Sequence, residues 1–319
     1  MNNLLTVSPS PHIRAFRSTT TIMATVLLAL LPAMIASIFL YGLRAALILA
    51  ISNIACGLFE YIWCKLRKLE NTVWDLSTFV TGTLLALSLP ANFGEVEHLW
   101  KVVFGAAIAI IVTKAFFGGI GYNFANPAIT ARIAMFICFP DIIGESIPTN
   151  LQNSAELVSG ATPLGDMQKG NFNLLPSYKD MFLGNHPGAI GETCAVALLI
   201  GGLLLIATKV ISWHIPVSFI GTVAIFTWLT GGSFGYALYH VLAGGLFIGA
   251  FFMATDYVTS PDTPKGKIIF GIGCGLITAV IRVYGAYPEG VSFAILLMNI
   301  LNPYIIKLTR RKPFGGIKQ

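Results

Sequence analysis

The sequence predicts an all-α integral membrane protein of ten transmembrane helices, arranged as two inverted five-helix repeats. Three observations predict it. Of 319 residues, 55% are hydrophobic and only 11% are charged, with a mean hydropathy of +0.76, where a soluble domain carries about 25% charged residues. Apolar runs of roughly 20 residues, the length needed to cross about 30 Å of hydrocarbon, recur along the whole chain. A stretch of the first half also returns 166 positions later in the second. Spans of this kind are expected to be helices rather than strands of a barrel.

In chain order, the first run begins near Thr20 and continues past Pro32 to residue 41, which reads as a span rather than a cleavable signal. The second, 43–63, is closed by Lys65, Arg67 and Lys68. The third, 73–89, opens in "VWDLSTF" and stops before Pro90. The fourth, 99–117, runs into a glycine pair, and the fifth, 125–140, starts beside Pro127. After the non-apolar stretch 141–188 come runs at 189–208, 215–230, 236–255, 267–284 and 289–308. The fifth and seventh are short and read as partly broken or shared with a cavity. This divides the chain into an N-terminal segment (1–19), a first five-helix repeat (20–140), a loop (141–188), a second repeat (189–308) and a basic tail (309–319).

The repeat is visible as "KVVFGAAIAIIVTKAFFGG" from Lys101 laid without a gap on "KIIFGIGCGLITAVIRVYG" from Lys267, with Lys101/Lys267, Phe104/Phe270, Gly105/Gly271, Ile111/Ile277 and Gly119/Gly285 identical. It maps the fourth span onto the ninth. An odd number of spans per unit makes the second copy enter the membrane in the opposite sense. Ten spans put both termini on one side, and placing that side in the cytoplasm leaves 14 of the 20 basic residues inside, Lys114, Lys209 and Lys265 among them. Five fall outside (Arg44, Lys101, Lys169, Lys179, Arg282) and Arg132 lies within a span. The loop 141–188 is then on the outer face. The net charge of +6 reflects this topology, and no nucleic-acid partner is expected.

Catalytic and metal constellations are not legible. Cys56, Cys64, Cys138, Cys194 and Cys274 mostly lie in apolar runs with no CxxC pair, and read as small packing residues. Of the histidines, only His240 lies well into a run. "GIGCG" at Gly271–Gly275 lies inside a span, where small residues serve helix packing better than phosphate binding. Ionisable residues at membrane depth suggest function: Asp75 and Asp256 are candidates for an ion route, with Glu60 and Arg132 behind them. A structural reading competes, in which these groups lie near span ends and reach headgroups or water, and Arg132 pairs with a carboxylate. "GGIGYNFANPAITAR", Gly118 to Arg132, is the most irregular feature at membrane level. Gly119, Tyr122, Asn123 and Asn126 there offer amides and free backbone N–H groups to a polar ligand, or Asn126 caps a helix beginning at Pro127.

The outer loop carries "VSGATPLGD", Val158 to Asp166. Gly and Ala leave the backbone uncovered, Pro163 restricts the conformation of the next residues, and the Thr162 hydroxyl can stand clear. With no adjacent base it is a poor nucleophile. It is a good attachment point for a group that another enzyme transfers.

"SGAT" at Ser159, Gly160, Ala161 and Thr162, with "SPSPHIR" at Ser8–Arg14, "GGIGYNFANPAITAR" and the terminal "RRKPFGG", resembles the D-subunit family of the Rnf complexes, bacterial ion-translocating ferredoxin:NAD oxidoreductases. The sequence is also similar to the B subunit of the sodium-pumping NADH:quinone reductase. The resemblance implies that FMN is esterified to Thr162 through its phosphate by a separate flavin transferase that recognises the motif, and that a second flavin, riboflavin, is bound noncovalently within the subunit. Gly119, Tyr122, Asn123, Asn126 and Asp256 are candidate flavin or ion contacts, and the sequence does not locate the riboflavin. The resemblance further implies partners in subunits A, B, C, E and G. Electrons would pass from an iron–sulfur pair of membrane subunits to the G subunit, then to this chain and on to the NAD-binding subunit, coupled to sodium or proton transport across the bacterial inner membrane. A secondary transporter or channel without a redox cofactor is the competing reading, because inverted five-span repeats with broken helices also build transporters.

Overall fold

A computed structural model describes residues 18–144, 149 and 162–310. Ser159, Gly160, Ala161, the "SPSPHIR" segment and all of the tail beyond Arg310 lie outside the described residues. Among those described the chain is helical, with one isolated β-bridge between Pro90 and Ala189.

The first half comprises α1 (Thr19–Tyr41), α2 (Leu43–Arg67), α3 (Ser77–Leu87), α4 (Leu99–Ala107) and α5 (Pro127–Cys138). Ser18 caps α1, accepting from the Thr21 N–H at 3.2 Å, and Gly42 at φ +63° turns the chain directly into α2. Helix α4 continues as a π-helical segment, Ile108–Ala115. Between the halves lie the short helices α6 (Pro140–Gly144), α7 (Pro163–Gln168) and α8 (Tyr178–Leu183). The second half comprises α9 (Ala195–Ala207), α10 (His214–Gly231), α11 (Phe234–Leu242), α12 (Leu246–Ile248) with a π-helical continuation Gly249–Met253, α13 (Pro264–Tyr284) and α14 (Val291–Thr309).

Among the described residues, six helices are long and apolar enough to cross a membrane: α1, α2, Val96–Ala115, α10, α13 and α14. The pair Phe234–Leu242 and Leu246–Met253 makes a seventh if counted as one span, bent by 67° at its break. Helices α3, α5 and α9 are apolar but shorter. The expectation for the seventh run is therefore corrected, since α10 reaches spanning length without a break. The break falls instead in the eighth run; the fifth is short as expected, and the third and sixth are short as well. Protein surrounds α3 on most sides, with Thr78, Leu85 and Leu87 fully or nearly fully buried, so it has no need of spanning length. Large apolar side chains such as Ile35, Phe39, Ile54, Leu203 and Leu229 face outward, as a lipid-facing surface requires.

Small residues set the closest helix contacts. A Cβ on Gly201 of α9 would lie 2.0 Å from the Ala29 carbonyl oxygen of α1, and one on Gly271 of α13 would lie 3.0 Å from the Ile215 carbonyl oxygen of α10. At Gly275 the gap to the Phe219 carbonyl oxygen would be 2.8 Å. The "GIGCG" run is thus a packing seam. Cys274 between these glycines is buried, as are Cys56 and Cys64.

Candidate functional site

Among the described residues, two of the cavities lie toward opposite ends of the helical bundle. The larger, about 380 Å³, is walled by Thr162, Gln168, Lys169, Arg132, Phe136, Tyr287 and Glu289, among others. It sits where α13 ends and α14 begins. The smaller, about 110 Å³, is lined by Asn123, Asn126, Lys114, Phe251, Phe252 and Asp256, with Ile22 near the start of α1 and Leu205 near the end of α9.

Thr162 is placed by α7. Its side-chain oxygen caps that helix, accepting from the Gly165 N–H at 3.3 Å, and Pro163 takes the first helical position. The hydroxyl is therefore half-buried and used as a cap rather than free-standing. The bond is long for an N–H···O contact, and the oxygen keeps its own proton to donate. Phe136 of α5 and Tyr287 meet edge to face at 5.0 Å on the cavity wall, an apolar surface suited to a planar ring.

Behind this wall is a buried charge cluster. Arg132, one helical turn inside α5, pairs with Glu192 at 2.7 Å and donates also to Glu289. Arg282 of α13 donates to the carbonyl oxygens of His240 and Ala243, the latter at 3.1 Å. Those carbonyls belong to the free end of α11, where the broken span leaves backbone acceptors without helical partners. A cation at a helix C-terminus also complements its dipole. Glu192 reaches Arg132 because the loop before α9 is stitched to the end of α3: Ile190 N–H donates to Leu89 O at 3.0 Å and Gly191 N–H to Leu87 O at 2.8 Å. Burial tends to raise the Glu289 carboxyl, and the Arg132 guanidinium outweighs that, holding it below its ordinary range.

The second buried pair borders the smaller cavity. Lys114 lies in the π-helical segment, whose wider, i→i+5-bonded turn re-aims side chains. Its ammonium donates to Glu60 at 2.6 Å, Ser77 at 2.9 Å and Thr78 at 3.3 Å. Glu60 also accepts from Thr72 at 2.6 Å and from Thr78. Lys114 and Arg282, counted in the sequence among the charges that report topology, are 4% and 3% exposed. Both belong to the interior.

Of the residues singled out in "GGIGYNFANPAITAR", Asn123 and Asn126 reach the smaller cavity. Asn126 also caps α5, accepting from the Ala128 and Ile129 N–H groups at 3.0 and 3.3 Å. Tyr122 points outward and is 72% exposed, and Gly119, at φ +93°, serves the turn. Asp256 lines the smaller cavity and accepts from Thr259 at 3.1 Å. Burial pushes its carboxyl above the ordinary range. Asp75 sits in a one-turn 3-10 helix, Val73–Asp75, and borders neither cavity. His240 is buried in contact with Tyr236. Among the described residues no group of three His, Cys, Asp or Glu side chains is placed to hold a metal ion.

Sequence reasoning missed Glu192, Glu289 and Lys114. The first two stand at the edges of apolar runs, in "GAIGETC" and "YPEGV", and read as boundary charges. Lys114 in "IIVTKAFFG" has apolar residues on both sides, which is the signal that it is buried.

The sequence matches the NQR2, RnfD, RnfE family over residues 6–315. It is 46% identical to the D subunit of the Na(+)-translocating ferredoxin:NAD(+) oxidoreductase complex of Acetobacterium woodii, covering 100% of this chain and 98% of that one. It is 43% identical to the D subunit of the proton-translocating ferredoxin:NAD(+) oxidoreductase complex of Clostridium ljungdahlii, with 98% and 97% covered. The D subunit of the ion-translocating oxidoreductase complex of Stutzerimonas stutzeri is 37% identical, with 92% and 91% covered.

Proposed function

The chain belongs to the NQR2, RnfD, RnfE family and is a subunit of an ion-translocating oxidoreductase complex, and on that premise we propose that it is the D-type membrane subunit carrying FMN on Thr162. The observation that carries this reading is the placement of Thr162 at the rim of the larger cavity. Its volume falls within the roughly 300–1,000 Å³ of small-molecule sites. Phe136 and Tyr287 provide an apolar wall for a flat ring, and Arg132, Lys169 and Gln168 provide donors for an anionic or polar tail. The residues present thus fit the group.

When bound, the flavin supplies the electron-carrying chemistry. This chain's residues anchor it at Thr162, flank it with aromatic side chains, and present fixed charge to it from Arg132 and Glu289. Electrons enter from the G subunit and leave toward the NAD-binding subunit, and their flow is coupled to sodium or proton transport. Subunits A, B, C, E and G are its partners in this reading, with a flavin transferase acting in maturation. Both termini are assigned to the cytoplasm and the Thr162 loop to the outer face of the bacterial inner membrane.

The inverted repeat is part of the same proposal. If the first span corresponds to the sixth and the fifth to the tenth, a pseudo-two-fold axis brings equivalent helices together. Helix α1 packs on α9 and α5 on α14, which supports that symmetry. The wall of the smaller cavity, Asn123, Asn126 and Asp256 with Phe251 and Phe252, offers candidate contacts to a flavin or an ion. At about 110 Å³ that space lies below the roughly 300–1,000 Å³ of small-molecule sites and does not fit a whole riboflavin molecule. Asp256 remains the candidate for an ion route, and Asp75 loses support by lying away from both cavities.

The test is the covalent flavin itself. The purified chain should fluoresce on a denaturing gel and carry the added mass of one FMN, and Thr162→Ala should lose both. An unmodified chain that takes up substrate in liposomes would favour the transporter reading.

A further inference from the structure

The four charges of the cluster near Thr162, three of them buried and Glu289 partly exposed, are not equivalent with respect to the larger cavity. Arg132 and Glu289 line it, whereas Arg282 does not and Glu192 borders only a small adjoining pocket of about 10 Å³ that Thr162 and Glu289 share. The side chain of Glu192 is 1% exposed, that of Arg132 9% and that of Glu289 29%. The cluster is therefore layered, with Arg132 and Glu289 turned toward the larger cavity and Glu192 and Arg282 set behind them.

Each inner member has a structural task. Arg282 satisfies the carbonyl end of α11. Glu192 lies against the other side of the same break, where a Cβ on Gly245 would meet its Oε1 at 2.5 Å. Arg132 is held on one side by Glu192 and on the other by Glu289, so its guanidinium cannot swing away to follow an anion. A cation fixed in this way needs no reorganisation when charge changes beside it, and a low-dielectric wall lets its field act at close to full strength.

We propose that Arg132 is a potential-setting residue for the group carried on Thr162. Its fixed guanidinium favours the more negative, electron-bearing form of that group, and Glu289, the outer carboxylate of the pair, trims the effect. This rests on the reading that Thr162 carries FMN. Lys169 also lines the cavity, but it is solvent-exposed, so its contribution is open to screening by salt.

The experiment is a spectroelectrochemical titration of the covalent flavin in the purified complex, at low and high ionic strength. Arg132→Gln should lower the midpoint potential and Glu289→Gln should raise it, each by at least about tenfold in the ratio of reduced to oxidised flavin at a fixed potential. Arg132→Lys should restore most of the loss. Both shifts should persist in high salt, while any shift from Lys169→Gln should vanish there. Covalent fluorescence on a denaturing gel is read in parallel. Its absence from the wild-type chain would defeat the FMN reading itself. Flavin retained in every variant, with potentials unmoved or moved in the same direction by Arg132→Gln and Glu289→Gln, would overturn the inference alone. If Arg132→Gln fails to assemble, the direction of the Glu289→Gln shift decides the matter.

Discussion

Asn126 donates from its side-chain nitrogen to the Met253 carbonyl oxygen at 3.1 Å, a contact between residues 127 positions apart. One residue thereby caps α5 in the first half and holds the end of the π-helical segment Gly249–Met253 in the second. Asn299 of α14 joins them. With its amide turned to satisfy both groups, its oxygen accepts from the Asn126 N–H at 3.1 Å and its nitrogen donates to Thr259 O at 3.2 Å.

Asn126→Ala is therefore expected to destabilise the protein twice over. Loss of the cap costs about 0.5–2 kcal/mol, and the abandoned Met253 carbonyl adds roughly 1–3 kcal/mol. Asn126→Ser keeps a capping oxygen but cannot reach Met253, so it should fall between wild type and Ala. Thermal unfolding of the three proteins in one detergent orders them.

Removing one partner of the Lys114–Glu60 pair should cost about 3–5 kcal/mol, because it leaves the other charge buried without its countercharge. Glu60→Gln and Lys114→Met together should cost clearly less than the sum of the two single changes. A double-mutant cycle on unfolding midpoints measures the difference. Strict additivity would mean that the contact adds nothing.

Gly201 and Gly221 make a matched pair. A methyl on Gly201 would be driven into the backbone of α1, whereas a Cβ on Gly221 of α10 meets nothing within 4 Å. Gly201→Ala should cost at least about 1–3 kcal/mol through overpacking. Gly221→Ala should instead stabilise by roughly 0.5–1 kcal/mol through helix propensity. The same melting assay should show midpoints moving in opposite directions.

His186, in the loop before α9, is 2% exposed. Burial holds its imidazole below the ordinary value, opposed by the Pro187 carbonyl and other backbone contacts. A base whose folded pKa is depressed binds its proton more readily when unfolded. Its contribution to stability is then present above the unfolded value of about 6.5 and is lost as pH falls toward the folded one. The unfolding midpoint should drop between about pH 7.5 and about pH 5.5, and His186→Gln should flatten that slope.

Much of the candidate site is legible in the sequence. Asn123 and Asn126 stand out because two amides, three glycines and a proline interrupt an apolar chain, and both line the smaller cavity. Thr162 stands out as a hydroxyl among small residues, and it borders the larger one. Asp75 looks equivalent to Asp256 in the sequence, since each is a carboxylate at the edge of an apolar run. Only Asp256 has the bent helix beside it to bring it to a cavity.

Composition and run length alone determined that this is a helical, multi-pass membrane chain, because the bilayer demands apolar stretches of one length and writes that demand locally. Tertiary structure decided which helices reach spanning length and which are short and wrapped by others. It also decided which charges meet. Lys114 and Glu60 are 54 positions apart and Arg132 and Glu289 are 157 apart, and no local pattern encodes such distances. A charge at the end of an apolar run looks the same whether water or a distant countercharge receives it, and only the packing of the two halves settles which.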